Sequence, residues 1–112
     1  MNRIINSRAL KIRPEPIEQA LLELPGILRA AVIALPDATR GAIAVAAVEF
    51  AAGKLLARRI LSQHCRTRLG ARFSPQRYYQ ADAMPLTRSG KIALANLREA
   101  LMAGSGAFRE LR

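Results

Sequence analysis

Tryptophan is absent from the 112 residues, and with only three Phe and two Tyr the apolar 51% of the chain is left to Ala, Leu, Ile and Val. A core built from such residues is small and aliphatic. Cysteine and histidine occur once each, side by side as His64 and Cys65. A single cysteine excludes an internal disulfide, and one histidine beside it cannot assemble a metal centre, so no metal site is expected. The same scarcity excludes nucleophilic catalysis by a triad, because a base needs an orienting acid and His64 lies in a stretch without carboxylates. His64 therefore reads as a helix-boundary residue and Cys65 as a small buried hydrophobe.

Long apolar runs are missing as well. Ala30 to Pro36 and Ala42 to Val48 fall far short of the roughly 20 residues that a membrane-spanning helix requires. The first eight residues, Met1 to Arg8, contain no apolar stretch of signal-peptide length and no small-residue cleavage site. A cytoplasmic protein without a membrane partner is the expectation. At 12.2 kDa the chain fits one domain, which is too little for an enzyme with a large substrate pocket of its own.

Acidic residues are few: 8 against 18 Lys and Arg, for a net charge of +10. Between Glu49 and Asp82 there is no acid at all, while Lys54, Arg58, Arg59, Arg66, Arg68, Arg72 and Arg77 fall in that interval. Nucleic acid, an acidic protein surface and a phosphate-rich cofactor all suit this balance, and so does a solvated basic helix face.

The periodicity supplies an α+β order. Residues 8–12 read as a short N-terminal strand that ends where Pro14 and Pro16 forbid further ladder bonding. Those prolines suit a helix start, with Glu15 and Glu18 near its positive end and Ile17, Leu21 and Leu24 along one face, until Pro25-Gly26 stops it. The apolar runs 27–35 and 42–50, parted by a turn-like segment, read as an antiparallel hairpin in the middle of a sheet. A helix over 54–69 follows, with Ala57, Leu61, Cys65 and Leu69 as its apolar stripe. A strand over 76–81 comes next, then a loop over 83–91 and a helix from Ile92 carrying Leu94, Leu97 and Leu101. Residues 104–112 read as a flexible tail. The outcome is one small domain over 1–112, with a mainly antiparallel central sheet flanked by helices.

Only one segment has the ingredients for chemistry. Thr87-Arg88-Ser89-Gly90-Lys91 delivers a lysine at the N-terminal edge of a helix. Its glycine permits close backbone approach, its hydroxyls and amides can meet phosphate oxygens, and its ammonium can follow an oxyanion. The spacing excludes a Walker loop, and by itself the segment is a weak signal.

Three stretches in order add a family resemblance. Pro14-Glu15-Pro16-Ile17-Glu18 with Ala20-Leu21, then Leu24-Pro25-Gly26-Ile27 through Ala30-Ala31-Val32-Ile33 to Pro36-Asp37, and finally Met84-Pro85-Leu86-Thr87-Arg88-Ser89-Gly90-Lys91-Ile92 with Leu97-Arg98 cover nearly the whole chain. The chain resembles the C-terminal domain of adenylate-forming enzymes, a superfamily that includes acyl-CoA synthetases, aryl-CoA ligases and peptide-synthetase adenylation domains. The resemblance implies a lid on a large N-terminal adenylation domain, which would bind most of the ATP and Mg. Lys91 would be the catalytic lysine and Thr87, Ser89 and Gly90 nucleotide-binding. The acceptor would be CoA or the phosphopantetheine of a carrier protein. Ala9 aligns with a glycine that lines the thiol tunnel, Asn2 or Arg3 with an acidic hinge, and Asn6 with a lysine. Pro16 stands in place of a common Glu, and Leu94 and Ala95 in place of basic residues. These departures motivate two other readings: a non-catalytic relative acting in protein association, and, from the basic interval, a nucleic-acid-binding module.

Overall fold

Six residues in a row, Ile43 to Val48, are buried in the computed structural model of the protein, which describes residues 3–112. Successive side chains of a strand point to opposite faces, so unbroken burial requires both faces of the sheet to be covered. They are. The strands β1 (Ile5–Ser7) and β2 (Leu10–Ile12) form a small hairpin, followed by helix α1 (Pro14–Leu22) and the long strands β3 (Ile27–Asp37) and β4 (Gly41–Phe50). Helix α2 (Arg58–Leu69), a single 3-10 turn (Ala71–Phe73), β5 (Arg77–Ala81), α3 (Leu94–Met102) and β6 (Phe108–Leu111) complete the chain.

The main sheet has the order β3-β4-β5-β6. On one face Val32, Ala44, Ala46, Val48 and Tyr78 pack with Ile17 and Leu21 of α1 and Leu61 and Cys65 of α2. On the other, Ala31, Ile33, Val45, Ala47 and Ala81 meet Leu97 and Leu101 of α3. Each fully buried leucine contributes about 2 kcal/mol of apolar transfer.

The α+β class, the mainly antiparallel sheet and the 27–50 hairpin are as expected, and five details differ. First, β3 is an edge strand, so the hairpin sits at one side of the sheet and not in its middle. Second, β4 and β5 run parallel, which makes the sheet mixed; α2 is the crossover that a parallel pair requires. Third, α2 begins at Arg58. Gly53 takes a left-handed φ of +74°, and the Ala51 carbonyl accepts the Lys54 N–H in a turn, which leaves Ala57 exposed and outside the apolar stripe. Fourth, the expected tail forms β6, which pairs with β5 from Tyr78↔Leu111 to Ala81↔Phe108. Fifth, the N-terminal segment holds two strands, joined by a turn in which Arg8 adopts φ +57°.

His64 ties the two helices on one face together. Its Nε2 lies 2.9 Å from Glu23 Oε1 just past α1, and Arg68 Nη2 lies 2.7 Å from Glu23 Oε2. The Arg68 guanidinium, helped by His64, holds the Glu23 carboxyl below the ordinary glutamate range. A depressed carboxyl stabilises the fold above its unfolded pKa, and that contribution is lost as pH falls through the folded value. The Glu23 carboxyl carbon should accordingly titrate by NMR below a peptide glutamate, and Arg68→Gln should move it back upward.

Candidate functional site

The loop that follows β5 is anchored where it leaves the sheet. Met84 is buried against the α3 face of the sheet, and its N–H donates to Glu49 Oε1 at 3.0 Å. The same oxygen accepts from Arg29 Nη1 at 3.1 Å, so one carboxylate at the far end of β4 fastens both β3 and the loop. Glu49 exposes only 13% of its side chain, a setting in which a charge needs such partners. Beyond this anchor the chain folds into a miniature hairpin closed by an antiparallel bridge between Leu86 and Ile92. The Thr87 N–H donates to the Lys91 carbonyl at 2.7 Å and the Gly90 N–H to the Thr87 carbonyl at 2.9 Å. Gly90 has φ +87°, the left-handed residue of a three-residue hairpin loop; a Cβ there would meet nothing within 4 Å, so conformation and not space calls for glycine. Thr87 Oγ1 accepts the Lys91 N–H at 3.2 Å and lies 3.1 Å from Ser89 Oγ.

Thr87, Ser89, Gly90 and Lys91 are thus brought together in one turn, with the threonine, serine and glycine shaping the backbone that carries the lysine. Lys91 is exposed, and its ammonium makes no ion pair among the described residues. Its expected place at the edge of a helix is corrected: α3 starts at Leu94, and the hairpin, not the helix end, aims the lysine. Leu94 is half-buried against the α3-side core, which accounts for an apolar residue at that position.

Glu49 was not legible as a functional residue in the sequence; the available signal was an acid at the end of an otherwise apolar strand. Glu49→Ala removes the acceptor from both Arg29 and Met84 and should cost about 1–3 kcal/mol in denaturant unfolding, with faster hydrogen exchange at the Met84 amide. Glu49→Gln keeps an oxygen in place and should cost less.

The other expected site residues lie elsewhere. Arg3 forks onto Glu18, with Nη1 to Oε1 at 3.1 Å and Nη2 to Oε2 at 2.9 Å, and Nη2 also donates to the Val32 carbonyl at 2.9 Å. Glu18 Oε2 in turn accepts the Val32 N–H at 2.8 Å. This bidentate pair raises the Arg3 pKa and fixes the start of the chain to α1 and β3. Asn2 lies outside the described residues. Asn6 is exposed on β1 opposite Lys11. Ala9 is exposed at the β1–β2 turn and lines a groove of about 460 Å³ with Arg8, Arg40 and Arg72, beside Ala44 near the start of β4. The lysine hairpin is rooted at Glu49, nine residues beyond Arg40, so Ala9 and the lysine's anchor lie toward opposite ends of that strand. Cys65 is buried, and desolvation pushes its thiol upward, away from nucleophilic use. Tyr78 is fully buried and offers no face for stacking a base. No helix among the described residues is long and apolar enough to cross a membrane.

Residues 16–91 match the sequence model of the AMP-binding enzyme C-terminal domain. An uncharacterized acyl-CoA ligase of Bacillus subtilis, YhfT, is 37% identical over 98 residues, covering 88% of this chain and 20% of that protein. The acetyl-coenzyme A synthetase of Deinococcus radiodurans is 37% identical over 96 residues, covering 86% of this chain and 15% of its own length. Among solved structures, a fatty acyl CoA synthetase of Mycobacterium tuberculosis superposes with a TM-score of 0.84 at 32% identity, over 91% of this chain and 20% of that one. The chain spans about a fifth or less of the length of these relatives.

Proposed function

The chain belongs to the family of AMP-binding enzyme C-terminal domains, and from that membership we propose that it acts as the small lid domain of an acid-activating ligase. A carboxylate oxygen attacks the α-phosphorus of ATP, pyrophosphate leaves, and an acyl-adenylate results. A thiol then attacks the acyl carbonyl, AMP leaves, and a thioester forms on CoA or on the phosphopantetheine of a carrier protein. A large N-terminal domain holds the acid, ATP and its Mg, and the reaction runs in the cytoplasm.

The observation that carries this reading is the Lys91 ammonium, exposed and unpaired among the described residues on a hairpin whose backbone is already fixed. A cation held in advance between the entering carboxylate and the α-phosphate stabilises charge that grows in the transition state, with little reorganisation left to do. Thr87 and Ser89, exposed on the same turn as Lys91, would offer their hydroxyls to phosphate oxygens, and Gly90 would let the backbone approach them. The lid then swings so that the thiol can enter, a motion of the kind that commonly limits turnover. Asn2 and Arg3 are the hinge candidates, and Arg3 grips the body of the domain through Glu18. Ala9 would border the thiol's path.

Reconstitution tests the reading. Acid-dependent exchange of labelled pyrophosphate into ATP should require this domain to be joined to, or supplied with, its large domain. Equal exchange by the large domain alone would overturn it and favour the protein-association reading that the departures at Asn2 and Ala9 suggest.

A further inference from the structure

Glu49 stands in a row that is otherwise apolar. Alternate residues of β4 face the α3 side of the sheet, and there Ile43, Val45 and Ala47 are all buried. The next member of the row is a carboxylate with 13% of its side chain exposed. It lies directly across the ladder from Arg29, beyond which β3 continues on the same face with Ala31, Ile33 and Leu35. A partly buried ion pair in such a place is often no more stabilising than two apolar side chains of similar volume. Stability alone does not call for it.

The carboxylate does something that an apolar side chain would not. Its Oε1 accepts from Arg29 Nη1 at 3.1 Å and from the Met84 N–H at 3.0 Å, and its charge makes both bonds stronger than neutral ones. Met84 is three residues past β5, and the two between, Asp82 and Ala83, are exposed. Its side chain is buried in the α3-side cluster, which fixes depth but not direction, because apolar contacts are non-directional. The hydrogen bond to Glu49 supplies the direction. Beyond it the hairpin is stiff in itself: the Ala93 N–H donates to the Pro85 carbonyl at 2.8 Å, the Thr87 N–H to the Lys91 carbonyl at 2.7 Å, and Leu86 bridges Ile92. Such a body moves as a unit, so the aim of its lysine is set at its two roots. One root is α3, where the Leu97 N–H donates to the Ala93 carbonyl at 3.0 Å. The other is the Met84 amide, whose acceptor is a side chain of β4.

We infer that Glu49, braced by Arg29, is a positioning residue for the Lys91 ammonium. On the proposed ligase reading, on which this role rests, the carboxylate touches neither the acid nor ATP. It acts by holding the root of the hairpin, so that the ammonium is already placed when charge develops. A displacement of about 1 Å can cost about 10²-fold in rate, and since α3 still holds the other root a smaller loss is expected when Glu49 is removed.

Acid-dependent pyrophosphate exchange in the assembled enzyme tests it, as a double-mutant cycle with Lys91. Glu49→Ala should lower kcat about tenfold, with KM for ATP and for the acid within about twofold of the parent. Glu49→Gln keeps an acceptor oxygen and should recover most of the rate. In a Lys91→Ala background, Glu49→Ala should change exchange by less than about twofold, because no ammonium is left to place. Arg29→Met with Glu49→Leu separates aim from stability: the apolar pair should unfold at a higher urea concentration than Glu49→Ala and still show its low kcat. Ile17→Val, which loosens the core on the other face of the sheet, should leave exchange within about twofold. Parent-like kcat in Glu49→Ala, a tenfold loss that persists without Lys91, or a kcat that recovers in the apolar pair would each overturn the positioning role. The two readings fail separately. Unchanged exchange in Lys91→Ala would remove the lysine's role and this one with it, whereas a crippled Lys91→Ala beside a parent-like Glu49→Ala would remove only the positioning role.

Discussion

In the assembled enzyme, Lys91→Ala is expected to lower acid-dependent pyrophosphate exchange about 10²- to 10³-fold, the usual effect of removing one preorganised donor from a developing oxyanion. The loss should fall on kcat and on kcat/KM alike, because the ammonium's contribution grows as charge accumulates in the transition state and is small in the ground state. Thioester formation from a preformed acyl-adenylate should change by less than about threefold, since in the proposed cycle the lysine is withdrawn before the thiol arrives. Folding gives no competing explanation. The Lys91 side chain is exposed and supports nothing, while its backbone N–H and carbonyl, which Thr87 binds, survive the substitution. Stability should stay within about 0.5 kcal/mol of the parent. Arginine is a poor replacement: it keeps the charge but spreads it over a planar fork, so Lys91→Arg should recover only a small part of the rate. Exchange unchanged in Lys91→Ala would remove the lysine from the reaction.

Much of the fold could be read from the order of the residues, and the failures share a cause. Helix α1 was legible because its start and stop are chemical: proline, Glu15 in the first turn, then Pro25-Gly26. The β3–β4 hairpin was legible because two apolar runs flank a turn. What the runs did not disclose was which edges they pair. An unbroken apolar strand signals cover on both faces and says nothing of its neighbours, so the parallel β4–β5 pair and the edge position of β3 emerged only with the fold. The one available hint was a helix between two strands, the pattern of a parallel crossover. The tail misled for the opposite reason. Gly104 and Gly106 look like a flexible end, but Gly104 at φ +68° turns the chain after α3 and Phe108 then packs against the α3-side core.

At the site, the motif Thr-x-x-Gly-Lys was legible and its anchor was not. Thr87, Gly90 and Lys91 interact within five residues, close enough for spacing to reveal them. Glu49 and Met84 are 35 positions apart and meet only after β4 and β5 have paired. The groove beside Ala9 is still more dispersed, drawing on segments from Arg8 to Arg72, and the sequence offered only an excess of positive charge without a shape.

The largest stability effect is expected at Tyr78. Its ring is fully buried on β5 among residues of α1, α2 and the central strands, beneath Arg58, whose guanidinium carbon lies 5.6 Å from the ring centroid. Its hydroxyl is equally buried and meets no well-formed hydrogen bond among the described residues, with Ser62 and Cys65 as its nearest polar neighbours. Burial, with the Cys65 thiol beside it, drives the phenol above its ordinary pKa, so it is neutral at physiological pH. Ring and hydroxyl therefore pull in opposite directions. Tyr78→Ala deletes an aromatic from the junction of strand and helix and should cost about 3–5 kcal/mol, a large share of the stability of a domain this size. Tyr78→Phe keeps the ring and removes a polar atom that was desolvated without compensation, so it should be neutral or stabilising by up to about 1 kcal/mol. Urea unfolding followed by circular dichroism separates the two. A loss above about 1.5 kcal/mol in Tyr78→Phe would show that the hydroxyl is satisfied in solution, by a buried water or by Ser62 or Cys65 after a small shift, and would make that polar contact part of what holds β5 to α2.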